Sequence, residues 1–207
     1  MAKKGRFIVF DGLDGSGLST QASLLVDFLN ERKDKLKFGR AGAWLTKEPT
    51  RSLIGGLINA QFDHCWKSSP TCLQLLFSAD RAFHLEKEII PLLERDVNVV
   101  CDRYLFSTLA FGSLGVKDFD WLLNLQKFFL VPDITFFLKV SPKTCIKRIE
   151  KSRFDLTLFE KEEVLTRVWQ NFEKISKIFK DIYIIDGERS IDEVAKEINN
   201  IIKKQLL

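Results

Sequence analysis

The sequence predicts an α/β fold of three layers, a five-stranded parallel sheet with helices on both faces, and two patterns carry that expectation. Apolar, β-rich runs recur at 6–12 (RFIVFDG), 98–104 (NVVCDRY), 133–140 (DITFFLKV) and 181–187 (DIYIIDG), with a fifth strand expected within 41–49 (AGAWLTKEP). The runs do not alternate with polar residues, which suits strands buried on both faces, the habit of parallel sheets. Between them lie longer stretches of helical periodicity. Such alternation gives parallel strands joined by right-handed crossovers, with ligands at the carboxyl ends of the strands.

Each element follows in order. The first run opens into a glycine-rich turn and then a helix over 19–32, which the hydroxyl of Ser19 can start and whose Leu24, Leu25, Phe28 and Leu29 fall on one stripe. Residues 71–95 read as one or two helices, interrupted at Pro91. Helices over 119–130, 142–151, 161–179 and 191–206 complete the set. No repeat or low-complexity linker breaks the pattern, and 207 residues suit one domain, 1–207.

Composition narrows the function. With 45% hydrophobic and 29% charged residues the chain is of ordinary globular make-up. A net charge of +4 from dispersed basic residues, with no aromatic-basic stacking motif, argues against a nucleic-acid-binding module. The four cysteines lack CxxC spacing and read as free buried thiols of a reducing compartment; His64, Cys65 and Cys72 do not have zinc-site spacing. The basic start MAKKGRFIVF lacks the apolar stretch of a secretory signal, and no run is long enough to span a bilayer, so a cytoplasmic location without membrane contact is expected.

The chemistry begins at FDGLDGSGLSTQ, 10–21. The phosphate-loop pattern GxxxxGK[ST] maps onto Gly12, Gly17 and Ser19, but Leu18 stands where the lysine belongs. Gly12, Gly15 and Gly17 allow tight turns that aim successive N–H groups at one anion, and the helix N-terminus adds its positive end. The expected cradle runs through Gly12, Leu13, Asp14, Gly15, Ser16, Gly17, Leu18, Ser19 and Thr20, with Ser19 placed to ligate Mg²⁺. A second site is CDRY, 101–104: Asp102, at a strand's carboxyl end, is placed to bind Mg²⁺ directly or through water, and Arg103 offers a fork to a second phosphate.

Over nearly its whole length the chain resembles the thymidylate kinases, phosphate-loop enzymes that move the γ-phosphoryl of ATP to dTMP. The resemblance rests on FDGLDGSGLSTQ, TKEPTRSLIGGLI, LLFSADRAFHLEKEIIPLLERDVNVVCDRYLFSTLAFG, VPDITFFLKVSPKTCIKRI and FEKEEVLTRVWQNF, in matching order and spacing. It implies the P-loop kinase fold, ATP with Mg²⁺ on the loop, and dTMP in a pocket of Asp14, Lys47, Phe77, Arg81, Arg103 and Phe111. Phe77 would stack on the thymine ring and Arg81 would hydrogen-bond its carbonyl. Lys47 stands where the family usually has an arginine, so the charge is kept and the bidentate fork is lost. Arg148 would lie near the ATP end, and a lid would follow at about 150–160, where Phe159 and Glu160 keep a family pair but Leu158 replaces a common cation. Asp14, Arg103 and Arg153 are the catalytic candidates, Arg153 as the lid charge that makes good the missing lysine. A homodimer, built partly from the helix near 71–90, is also implied.

Leu18 and Leu158 both fall where the transferring phosphoryl would be touched. Phosphoryl transfer relies on positioning and cations, so each loss could cost on the order of 10² to 10³ in rate. Three readings stay open from the sequence: an active dTMP kinase, a nucleotide binder that transfers slowly or not at all, and a kinase of another nucleoside monophosphate or a deoxynucleoside.

Overall fold

In the computed structural model, which describes residues 5–35, 37–152 and 161–206, the five apolar runs form strands β1 (Phe7–Gly12), β2 (Ala43–Lys47), β3 (Asn98–Asp102), β4 (Ile134–Lys139) and β5 (Ile182–Asp186). All neighbours pair in parallel, in the order β2-β3-β1-β4-β5. β1 and β3 are buried along their whole length, and β4 along all but Lys139. The outer strands are not: Trp44 and Leu45 of β2 and Ile184 of β5 are exposed. A sheet edge has a neighbour on one side only, so the expectation of full burial holds for the three inner strands and fails for the outer two.

Side chains alternate across the sheet, and each face has its own core. Ile8, Phe10, Val100, Phe136 and Leu138 pack with α1 (Leu18–Asn30) and α9 (Ile191–Leu206). Phe7, Val9, Val99, Cys101 and Phe137 face the other way, onto α5 (Leu105–Gly112) and α8 (Glu162–Ile178). These are the three layers that the sequence predicts.

Local details differ from expectation for identifiable reasons. α1 begins at Leu18, and its cap is Gly17 in the left-handed region (φ 99°) rather than a hydroxyl. Its buried stripe is Leu18, Ala22, Leu25, Phe28 and Leu29, so Leu25, Phe28 and Leu29 lie as expected while Leu24 is exposed. The stretch 71–95 is α3 (Pro70–His84), a π-helical turn (Leu85–Ile89) and α4 (Ile90–Glu94). Pro91 has no N–H to return to the preceding turn, so the irregularity lies upstream of the proline instead of at it. α2 (Leu53–Phe62) and α5 had no clear signal: LIGGLINAQF carries two glycines and LFSTLAFG is apolar nearly all round. α6 (Phe119–Gln126) ends four residues before the expected boundary, and α7 (Pro142–Ser152) one residue after it. Cys101 and Cys145 are buried as expected, whereas Cys72 is half-buried and Cys65 exposed; Cys65 follows the turn at His64, whose φ is +59°.

The register positions the site. Lys47 and Phe10 both pair with Asp102, and Gly12 pairs with Leu138, so the carboxyl ends of β1, β2 and β3 deliver their loops to one edge. There the chain turns from β1 toward β2 and β3 on one side and β4 and β5 on the other, the place where open α/β sheets hold ligands.

Candidate active site

The glycine loop joins β1 to α1 and is held tightly from behind. At Gly15 φ is +78°, and a Cβ would stand 2.6 Å from the carbonyl oxygen of Cys145 on α7, so only glycine fits. Arg148, also on α7, donates to the carbonyls of Ser16 (3.4 Å) and Gly187 (3.1 Å), tying the loop to the turn after β5. Burial pushes the Cys145 thiol up to about 12, so the sulfur beneath the loop stays a neutral packing group. No side chain caps α1, and an uncapped N-terminus leaves its first N–H groups for an anion. Ser16 is 3% exposed and its Oγ has no hydrogen-bond partner, a further donor within the loop. Leu18, in contrast, is 5% exposed and packs into the core with Ala22 and Leu25.

Beside the loop, the predicted pair at the end of β3 meets it directly. Ser19 donates a hydrogen bond to the carboxylate of Asp102. The two form a cluster of hard oxygen donors, a set that suits Mg²⁺ completed by phosphate oxygens and water. Arg103 has φ +70°, a left-handed conformation costly for a residue with a side chain and frequent at functional sites. Its Nη1 donates to the Gly12 carbonyl (2.9 Å) and to Ser107 Oγ (3.0 Å), and its Nη2 to Asp14 Oδ1 (2.7 Å). Burial works against its charge, but Asp14, Asp102 and Asp11 outweigh it and raise the guanidinium pKa. Arg103 is thus fixed as a cation at the junction of loop and strand.

Asp11 went unnoticed in the sequence because it reads as the end of an apolar strand. It is buried and accepts hydrogen bonds from Ser107 Oγ and from the N–H groups of Tyr104 and Ser107 (3.3 Å each). Burial raises its pKa from 3.8 to about 7, against the lowering effects of the Ser107 hydroxyl and Arg103.

The far end of the site is built from β2, α3 and α5. Lys47 is exposed at the tip of β2, and Phe77 is half-buried with its ring 6.2 Å from that of Phe62. Arg81 is 1% exposed and anchors a buried network that the sequence did not signal. Its Nε and Nη2 donate to one oxygen of Glu48 (2.9 and 2.7 Å), Nη2 also to Thr108 Oγ1 (2.9 Å), and Nη1 to Gln126 Oε1 (2.5 Å). The other Glu48 oxygen meets His84 (3.1 Å). A buried arginine requires such partners, since an unpaired charge there would be strongly destabilising. Asp80, also missed, accepts from the N–H and hydroxyl of Thr50 (2.7 and 2.6 Å) and from Ser52 Oγ (3.0 Å), fixing the loop after β2. Phe111 lies on α5, 5.5 Å from the Arg103 guanidinium.

The glycine loop, Lys47, Glu48, Asp102, Arg103 and Arg148 border one cleft of about 1200 Å³, with Asp11, Asp80, His84 and Gln126 behind its walls. Phe77, Arg81 and Phe111 line one end, Arg148, Ser190 and Ile191 the other, and the glycine loop with Asp102 and Arg103 lies between them. Single-ligand pockets run to roughly 1,000 Å³, so there is space for two ligands meeting at the loop. Gly187, Ser190 and Ile191 carry no sequence motif and had not been singled out. Arg153, Leu158, Phe159 and Glu160 lie outside the described residues, as does most of the expected lid.

A glycine loop after the central strand, in a two-ended cleft of an all-parallel sheet, is the arrangement expected of a nucleoside monophosphate kinase. The sequence model of the family described as Thymidylate kinase matches residues 10–198. The chain belongs to the thymidylate kinase family. It is 36% identical over 214 residues to a probable thymidylate kinase of Pyrococcus abyssi, covering 99% of this chain and 98% of that one. A probable thymidylate kinase of Methanocaldococcus jannaschii is 34% identical, with 95% of each covered. Among solved structures, thymidylate kinase from Candida albicans superposes with a TM-score of 0.82 at 28% identity, over 99% of this chain and 94% of that one. The enzyme from Ehrlichia chaffeensis gives 0.75 at 27% identity, over 96% and 98%.

Proposed function

We propose that this chain is an active dTMP kinase, transferring the γ-phosphoryl of ATP to dTMP to give dTDP and ADP, and that residues 1–207 form one kinase unit. The observation that supports this most is the position of Arg103, which is held by Gly12 and Asp14 of the glycine loop and lies 5.5 Å from Phe111 at the other end of the cleft. A group held there touches both substrates.

In this reading the backbone N–H groups from Leu13 to Thr20 bind the donor phosphates, and Arg148 walls the donor end. Asp14 orients the acceptor's sugar and phosphate, Lys47 and Arg103 hold the acceptor phosphate, and Phe77 and Phe111 flank base and sugar. Arg81 gives its remaining N–H to a base carbonyl. Ser19 and Asp102 would hold Mg²⁺, which neutralises charge developing on the transferred phosphoryl when bound. Leu18 adds no charge, so binding depends on the N–H groups and catalysis is slowed more than binding. A homodimer is part of the proposal, supported by exposed Leu53 and Leu57 on α2 and Leu75 and Phe83 on α3.

An ADP-coupled assay over dTMP, dUMP, dCMP and dGMP tests the acceptor. The expected result is the highest kcat/KM with dTMP; a clear preference for another monophosphate would move the chain to a different specificity.

A further inference from the structure

Ser107 carries a hydroxyl that its own helix does not need. α5 starts with no side-chain cap, and Asp11 of β1 takes that place: its Oδ2 accepts from the N–H groups of Tyr104 and Ser107 (3.3 Å each). The first N–H groups of a helix have no partner within it, so the buried carboxylate satisfies these from another element. The cap engages the backbone of Ser107 and leaves its hydroxyl for another role. That hydroxyl donates to Asp11 Oδ1 and accepts from Arg103 Nη1 (3.0 Å), and Ser107 lines the cleft.

The donors of Arg103 show what this contact does. A guanidinium has five N–H groups and no lone pair, so a hydroxyl that meets it must accept. With its proton directed to Asp11, Ser107 Oγ presents a lone pair to the arginine. Three of the five N–H groups are used, on Gly12, Ser107 and Asp14; among the described residues Nε–H and one N–H of Nη2 remain for a ligand. Gly12 and Asp14 both belong to the glycine loop, whereas Ser107 approaches from α5. The planar fork is therefore held between two elements, and without Ser107 its side-chain hydrogen bonds would go to the loop alone.

Resting on the dTMP reading above, we propose that Ser107 is a positioning residue: its hydroxyl, oriented by Asp11, fixes the plane of the Arg103 guanidinium so that the two remaining N–H groups meet the acceptor phosphate. It acts through Arg103 and on the phosphate, not on base or sugar.

The test is isothermal titration with dTMP and with thymidine, which lacks the phosphate. It compares the chain with its Ser107→Ala, Ser107→Thr and Arg103→Met variants and with the double variant of Ser107→Ala and Arg103→Met. Loss of one charge-assisted hydrogen bond is expected to weaken phosphate binding about tenfold. Ser107→Ala should therefore bind dTMP about tenfold more weakly with its thymidine affinity unchanged, and Ser107→Thr, which keeps the hydroxyl, should stay near the parent. Methionine cannot donate a hydrogen bond, so Arg103→Met should itself lose dTMP affinity, and adding Ser107→Ala should cost nothing further. Equal losses for dTMP and thymidine in Ser107→Ala would make Ser107 merely structural, and a further tenfold loss in the double variant would mean that it acts without Arg103. Either result, or unchanged dTMP affinity in Ser107→Ala, would overturn the proposal. Failure of the unaltered chain to bind dTMP would instead remove the function reading, and this assignment with it.

Discussion

Arg103 is the residue on which the account depends most. Its left-handed backbone is tolerated because the carbonyl of Phe10 accepts its N–H (2.8 Å) and the side chain is fixed by Gly12, Ser107 and Asp14. A lysine there keeps a charge but cannot span three partners, so Arg103→Lys should lower kcat by about 10² to 10³ with a smaller change in ATP affinity. Steady-state kinetics beside calorimetry would check this, and a kcat near that of the parent would remove Arg103 from the reaction. Asp11, next to it, gives a pH signature. Its folded pKa of about 7 lies above the ordinary 3.8, so the folded chain favours the protonated form. Its contribution to stability is complete below the lower value and is lost as pH rises through the upper one. In Asp11→Asn that dependence should vanish, so the urea midpoint of the variant should gain on the parent between about pH 5 and about pH 8. Parallel pH profiles for the two proteins would contradict the shift. Neither behaviour was visible in the sequence, where DRY shows two charges together but not the buried carboxylate that meets them from another strand.

At the scale of elements, the glycine loop with α1 concentrates what was and was not legible. FDGLDGSGLSTQ shows a phosphate loop with an apolar residue in the cation's place. The structure adds that Leu18 belongs to the core, so the side chain is an integral part of α1's packing. Leu18→Lys should consequently lower thermal stability, since a buried leucine contributes about 1.5–3 kcal/mol, while raising kcat by at least about tenfold through the regained charge. A coupled ADP assay and a melting curve read both. No gain in kcat would mean that another cation already meets the developing charge. The strands were legible because their apolar runs are continuous, and the long helices α8 and α9 because their periodicity is strong. α2 and α5 were not, since glycine and all-round hydrophobicity blur the helical period. The Arg81 network escaped for a different reason: its partners lie 33, 27 and 45 residues away in sequence, and only the packing of α3 against β2, α5 and α6 brings them together.

For the whole molecule, the sheet order places the two ends of the cleft on one edge, with Arg103, Asp14, Ser19 and Asp102 between them. Family membership and this geometry point to the same reaction, while position 18 bears on its speed. Among the described residues no helix is long and apolar enough to cross a membrane. The claim that unifies residue, element and fold is direct phosphoryl transfer between the two ends of the cleft. Its most direct test is to incubate the chain with γ-labelled ATP and dTMP in the presence of Mg²⁺ and to separate the nucleotides. Label is expected in dTDP in step with ADP formation. Label released as inorganic phosphate, or retained in ATP while calorimetry shows both nucleotides bound, would contradict it.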